Sequence, residues 1–369
     1  MQKKSQILIT GKKWSNKLWP LGENMLEESK KYKYLGYIFN RHITDTDHIL
    51  DNLAQKAIRL VSHTRHVLSK HMDINRINFG NSIWNKAIVP SLSHAGGIWF
   101  NNTKGSIRCL KSLQYKCAKA VLKLNNTPSL VATLGELGWT PIIDHLDNTR
   151  VSYYTRLKDM ESHRLPKIIY DELLSLHNRG VQTKFKYFED IKSIFMKNGA
   201  DYLMDDDENY IVQRFKSLNY DNYVLKFFNS VEEMSSLKYF RHVKIDTYCS
   251  EYLLKSETNF KSAQLKFKLR TGTAGIGEDL TRQNRGPGNC HYCGEFESLK
   301  HLLFHCPAYN NERQLMYSTI HELTDDVTFS SFIQNQDTAI CYLLGDHDDV
   351  FNRQFLHFIT KVWNIRNMF

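Results

Sequence analysis

No stretch of this 369-residue chain approaches the run of roughly 18 apolar residues that a membrane-crossing helix needs. The first residues, Met1-Gln-Lys-Lys-Ser-Gln6, lack the apolar core of a secretory signal. Internal repeats and low-complexity tracts are absent as well. A disulfide framework is excluded on count: there are seven cysteines, an odd number, and three of them crowd into one short motif. Cys109, Cys117, Cys249 and Cys341 are scattered through otherwise hydrophobic or helical surroundings. These absences lead us to expect an intracellular protein, of nucleus or cytoplasm, with no membrane partner.

Catalytic signatures are missing too. No G-x-x-x-x-G-K-[ST] loop is present, and the glycines at 272, 275 and 277 follow no strand. No Ser or Cys nucleophile comes with an identifiable base. A polymerase needs paired carboxylates on a strand turn to hold two metal ions. The candidates here are Asp205-Asp206-Asp207, Asp325-Asp326 and Asp348-Asp349. The first resembles a Y-x-D-D turn but is one residue too long and lacks flanking β-runs, so it reads as a solvated acidic loop. The other two sit before terminal helices and read as caps. We assign no catalytic residue.

What the chain does have is a metal motif. Cys290, Cys293, His301 and Cys306 are spaced C-x2-C-x7-H-x4-C. Three thiolates and an imidazole complete a tetrahedral zinc site and leave no open position for substrate, so a structural Zn2+ is expected. Gly294 stands where a tight turn would need a residue without Cβ. Pro287 and Gly288 break the chain before the site, and Pro307 stops it after. His291 and His305 lie close enough in sequence to replace His301 as ligand.

Charge narrows the partner. Lys and Arg total 49 against 39 Asp and Glu, a net +10, which points first to nucleic acid or an anionic surface. An ordinary basic protein would look the same on charge alone. Ser106 to Leu124 is the clearest amphipathic helix: Ile107, Leu110, Leu113, Cys117, Val121 and Leu124 form the apolar stripe. Arg108, Lys111, Lys116, Lys119 and Lys123 occupy the other faces. Such a helix could track a phosphate backbone, or simply be a core helix with a solvated side.

The pattern as a whole is mainly α, with a small β element at the start. Strands are expected at 5–10 and around Gly36, and a long helix from Thr46 or Asp47 to about Lys70. Helices should follow over 76–88, stopping at Pro90, then over 144–160, 208–228, 232–254, 311–323 and 351–366. Five segments result: 1–42, 43–160, 161–285, 286–310 around the metal motif, and 311–369.

Several motifs occur in an order that is itself informative. SAQLKFKLRTG (262–272) leads into CHYCGEFESLKHLLFHCPAY (290–309), with Arg313 beyond. This series resembles the C-terminal zinc knuckle of non-LTR (LINE-type) retrotransposon reverse transcriptases. Upstream, KKSQILI (3–9) resembles their strand after the catalytic turn, and KYKYLG (31–36) their primer-grip hairpin. PSLSHAGGIW (90–99), Leu113-Gln114 and ELGWTPI (136–142) resemble the thumb and the segment after it. In that family the palm carboxylates precede the KKS strand, and this chain begins at Met1. The 63 residues after Cys306 carry no restriction-like endonuclease spacing.

The resemblance implies a primer-grip remnant, a thumb-like helical domain, a helical connection, a CCHC zinc knuckle and a helical tail. It implies a reverse transcriptase fragment that binds template–primer or element RNA and DNA without polymerising. Lys31, Lys33 and Tyr34 of the hairpin, with Arg108, Lys111, Lys119 and Lys123 of the basic helix, are the expected nucleic-acid contacts. A standalone zinc-stabilised protein–protein module is the alternative. A third reading is an enzyme completed by a separately encoded palm.

Overall fold

The structure, a computed structural model, describes residues 7–9, 17–34, 37–40, 47–70, 75–99, 103–181, 186–204, 206–255, 260–346 and 349–367. At 24, 34, 37, 38, 40, 47–50, 68–70 and 99 it describes the backbone alone. The chain is mainly helical, as its periodicity implies, with a little antiparallel strand near the start. Among the described residues no helix is long and apolar enough to cross a membrane.

Two hairpins form the β element. Lys31–Tyr34 pairs with Tyr37–Asn40, setting Lys33 opposite Ile38, which is the hairpin expected around Gly36; Gly36 itself lies outside the described residues. A second hairpin, Leu18–Leu21 with Asn24–Glu27, was not expected. Of the strand foreseen at 5–10, only Ile7 to Ile9 are described, and Ile7 bridges Glu28 in parallel.

The chain divides into two compact units. One comprises Met1–Ser62, Asn85–Gln114 and Pro141–Asn222; the other comprises His63–Trp84, Tyr115–Thr140 and Tyr223–Phe369. In the first, Val151 and Tyr154 of helix Ile142–Lys158 share a core with Tyr170, Phe188, Phe195 and Phe215. Gln114 Oε1 accepts the Ile142 N–H at 3.0 Å, satisfying one of the orphan donors that open that helix. The short helix Gly96–Trp99 lies close to it. A Cβ at Gly97 would stand 2.6 Å from the Tyr153 side chain, so the paired glycines permit the approach.

In the second unit, helices Phe260–Arg270, Asn310–Leu323, Asp326–Gln334, Gln336–Leu344 and Asp349–Arg366 bury one core through Leu269, Met316, Phe332, Leu343, Phe355 and Ile359. Trp139 stacks on Trp84 with ring centroids 4.3 Å apart and donates to Asn81. Gly138 ends helix Leu130–Leu137 at φ +67°, and a Cβ there would meet the Cys249 backbone, so only glycine serves as this cap.

Three helix expectations need correction. The helix from Arg76 does not stop at Pro90: it relaxes into a π-turn over Trp84–Ile88 and resumes as Val89–Ser93. Proline sits in that first turn, where its missing N–H would have had no intrahelical partner. Residues 232–254 are not one helix but short turns at 235–237, 240–243 and 251–254 around a loop. The buried ammonium of Lys244 gathers that loop by donating to Asp246, Tyr248 O and Ser250. Asp326–Gln334 and Gln336–Leu344 are additional helices, capped by Asp325 and Asn335.

Candidate metal centre

The chain builds its candidate metal site from a turn, a cap and a π-turn. Asn289 bridges Phe296 in antiparallel fashion, closing a tight loop that carries Cys290 and Cys293. Within it the Cys290 N–H donates to Glu295 O at 2.7 Å and the Gly294 N–H to Cys290 O at 3.0 Å. Gly294 adopts φ +81°, the left-handed region that a Cβ disfavours, which meets the expectation for that position. Ser298 Oγ then accepts the His301 N–H at 3.0 Å and opens the next turn. Residues His301–His305 wind as a π-turn, with the Cys306 N–H donating to His301 O at 2.9 Å. That register places the imidazole and the last thiol on the same side.

The donor atoms of Cys290, Cys293, His301 and Cys306 all lie within 4.8 Å of one another. Cys290 Sγ is 3.8 Å from Cys306 Sγ, and Cys293 Sγ is 3.3 Å from His301 Nε2. A tetrahedral ion with bonds of about 2.3 Å to sulfur and about 2.0 Å to nitrogen would set sulfurs about 3.8 Å apart, and sulfur and nitrogen about 3.5 Å apart. The set could therefore hold a metal ion, with Nε2 as the imidazole donor. His305 turns instead to the Gln336 side chain, and neither it nor the exposed His291 joins the group, so His301 is the histidine of the candidate set. Among the described residues this is the one such convergent group.

Burial acts in opposite directions on the two kinds of donor. It pushes the Cys306 thiol up to about 12, with Cys290 and Cys293 adding to the rise, and a bound ion reverses that preference by stabilising thiolate. It also lowers His301 and so favours the neutral imidazole that can ligate.

Around the donors, charged side chains lock the loop. Arg313 donates to Leu303 O at 2.7 Å and Cys306 O at 2.9 Å. Arg366 grips Glu297 with two bonds of 2.7 and 2.9 Å, while Glu297 also accepts the Gly277 N–H. Deeper in the same unit, the fully buried Arg270 pairs with Glu136 at 2.8 Å and with Asp346 at 2.5 Å. Lys266, one turn earlier, donates to Gly345 O and Asn352 Oδ1. The motif residues Glu136, Arg270, Glu297 and Arg313 are thus fasteners of this unit. Asp346 and Lys266 gave no sign of these roles in the sequence, because a lone Asp or Lys announces no partner dozens of residues away. Lys244, whose partners lie within six residues, was hidden by the helical spacing of 232–254.

The basic residues have other settings. Lys31 and Lys33 are exposed on one face of their strand; Tyr34 is described in its backbone alone. Arg108 and Lys111 are exposed on helix Lys104–Val121, whose Leu110, Leu113, Cys117 and Val121 are buried. Lys119 leans back, its Nζ 5.6 Å from the Tyr115 ring centre, and Lys123 is exposed beyond the helix end. Of the carboxylate runs, Asp206-Asp207 and Asp325 behave as loop and cap. Asp206 and Asp207 are exposed, and Asp207 accepts the Asn209 N–H at 3.0 Å at the start of helix Glu208–Glu233. Asp325 accepts the Thr328 N–H. Asp205 and Asp348 lie outside the described residues.

Comparison of the chain with protein-family models, with curated proteins and with solved structures finds no match.

Proposed function

We propose that this chain is a nucleic-acid-binding segment of the non-LTR reverse transcriptase kind, comprising primer grip, thumb, connection and zinc knuckle. Cys290, Cys293, His301 and Cys306 hold a structural Zn2+, the borderline-soft ion that three thiolates and one imidazole suit. The observation that carries this reading is the role of the motif residues. Those through which the chain resembles that family fasten the unit that carries the metal loop: Glu297 to Arg366 and Arg313 to Cys306 O at the loop, and Arg270 to Glu136 and Asp346 deeper in the unit.

Phosphate contacts come from the exposed Lys31, Lys33, Arg108, Lys111 and Lys123, together with Lys119 and, as the resemblance implies, Tyr34. Such contacts hold a backbone without reading sequence. The segment binds template–primer or element RNA without polymerising by itself; among the described residues no carboxylate pair sits on a strand turn to hold two metal ions. Fluorescence anisotropy of the zinc-loaded protein with a labelled RNA–DNA hybrid, from low to moderate salt, tests this. Affinity should fall log-linearly with salt.

A second reading, a protein–protein module, is favoured by one observation. Leu165 and Ile169 of helix Leu165–Asn178 are 67% and 51% exposed beside a groove walled by Tyr153 and Phe188. Salt-independent association, or none, would move the assignment to that reading.

A further inference from the structure

Beside the metal loop, in the same unit, lies a cleft of about 620 Å³. Its walls differ in chemistry. Its apolar lining includes Tyr239 and Ile340, and its polar lining Lys238, His242, Lys300 and Asp337. Lys300 immediately precedes the ligand His301, so the cleft is anchored to the metal loop by one peptide bond. Its volume falls within the ~300–1,000 Å³ that holds small organic ligands and is far larger than a bare phosphate needs.

The cations are held at the walls by carboxylates that can be exchanged. Lys300 pairs with Asp337 at 2.8 Å, and Asp337 is 75% exposed. A pair so open to solvent is worth at most about 1 kcal/mol, so an incoming phosphate can take the place of Asp337. Lys238 pairs with Glu278, and its ammonium stands 4.6 Å from the centre of the Tyr239 ring. A cleft with an aromatic ring, one ammonium over that ring and a second at Lys300 matches an anion that carries a flat apolar ring.

We infer that this cleft seats one nucleotide of a single strand, its phosphate between Lys238 and Lys300 and its base against Tyr239 and Ile340. The inference rests on the nucleic-acid reading above and extends it by giving the strand a defined subsite. Stacking of a base on an aromatic side chain is sequence-tolerant, so the subsite should accept any base.

The test uses the full zinc-loaded chain and a short single-stranded oligouridylate carrying one 5-iodouridine. Irradiation should cross-link the strand at Tyr239, as read by peptide mass spectrometry. Lys300→Ala should weaken binding several-fold, as loss of one phosphate contact does. Asp337→Asn should tighten it ~3-fold, because a weak competing ion pair is removed. Asp337 is exposed, so that variant keeps the fold while altering the cleft. Binding with every cross-link elsewhere, and with Asp337→Asn unchanged, would overturn the subsite and leave the nucleic-acid reading standing. No binding of either the oligonucleotide or the hybrid would overturn both.

Discussion

Lys266 shows how a single buried amine becomes a pH-dependent element of stability. Its side chain is fully enclosed, near the Tyr252 and Phe355 rings, with Arg270, Glu136 and Asp346 as charged neighbours. Burial, reinforced by Arg270, lowers its pKa to about 7 against the opposing pull of Asp346 and Glu136. An unfolded lysine titrates near 10.4, so between these values the unfolded chain holds a proton that the folded chain has shed. Stability therefore rises with pH through that window, by up to about 1.4 kcal/mol per pH unit. The buried thiols of Cys117 and Cys249, pushed up to about 12, act in the opposite sense once pH passes ~8.5. Urea midpoints at pH 6.5 and 8.5 should thus climb for the native chain and stay flatter in Lys266→Met. Equal slopes in the two proteins would refute this account.

At the scale of elements, helix Lys104–Val121 separates stability from binding. Its apolar stripe is buried while Arg108 and Lys111 point to solvent. Replacing both with alanine should leave the folding midpoint within ~0.5 kcal/mol of native. The same change should reduce the slope of log affinity against log salt by about 1.8 on a duplex, at about 0.9 per lost contact. An unchanged slope would remove this helix from the interface. The helix was legible in the sequence because its period is local, and so was the metal set, whose four donors lie within one loop and turn. The hairpin Leu18–Leu21/Asn24–Glu27 was not, because every described side chain of its first strand is exposed and no alternation marks it. Over 232–254 the apolar spacing suggested one helix, yet the Asp246 carboxylate accepts the Tyr248 N–H and Lys244 draws the chain into a loop. Helices Asp326–Gln334 and Gln336–Leu344 were not among the expected helices, although the Asp325 cap that opens the first was legible; Asn335 caps the second. What stayed hidden throughout were pairings across long separations, such as Arg270 with Glu136.

For the whole molecule, the candidate metal donors are embedded in the core of one unit and not in that around Tyr154. Cys290 and Cys306 are buried with Met316, Phe355 and Ile359, whereas the core around Tyr154, Phe195 and Phe215 contains none of the four ligands. Metal affinity is folding free energy for the part of the chain that forms the site. Chelation should therefore speed hydrogen exchange in Phe260–Arg270 and Asn310–Leu323 while leaving Ile142–Lys158 and Tyr187–Lys197 protected. A uniform response across both sets would contradict that division. The Arg270 network, finally, sets an order on synthesis. Glu136 meets its first cation only after roughly 130 further residues have been made, and Arg270 meets Asp346 another 76 later. At ~5–20 residues per second, Glu136 leaves the ribosome on the order of 10–40 s before its enclosure is complete. Through that interval the growing chain must keep a carboxylate hydrated that the finished protein seals from water, so this unit closes late and from its C-terminal side.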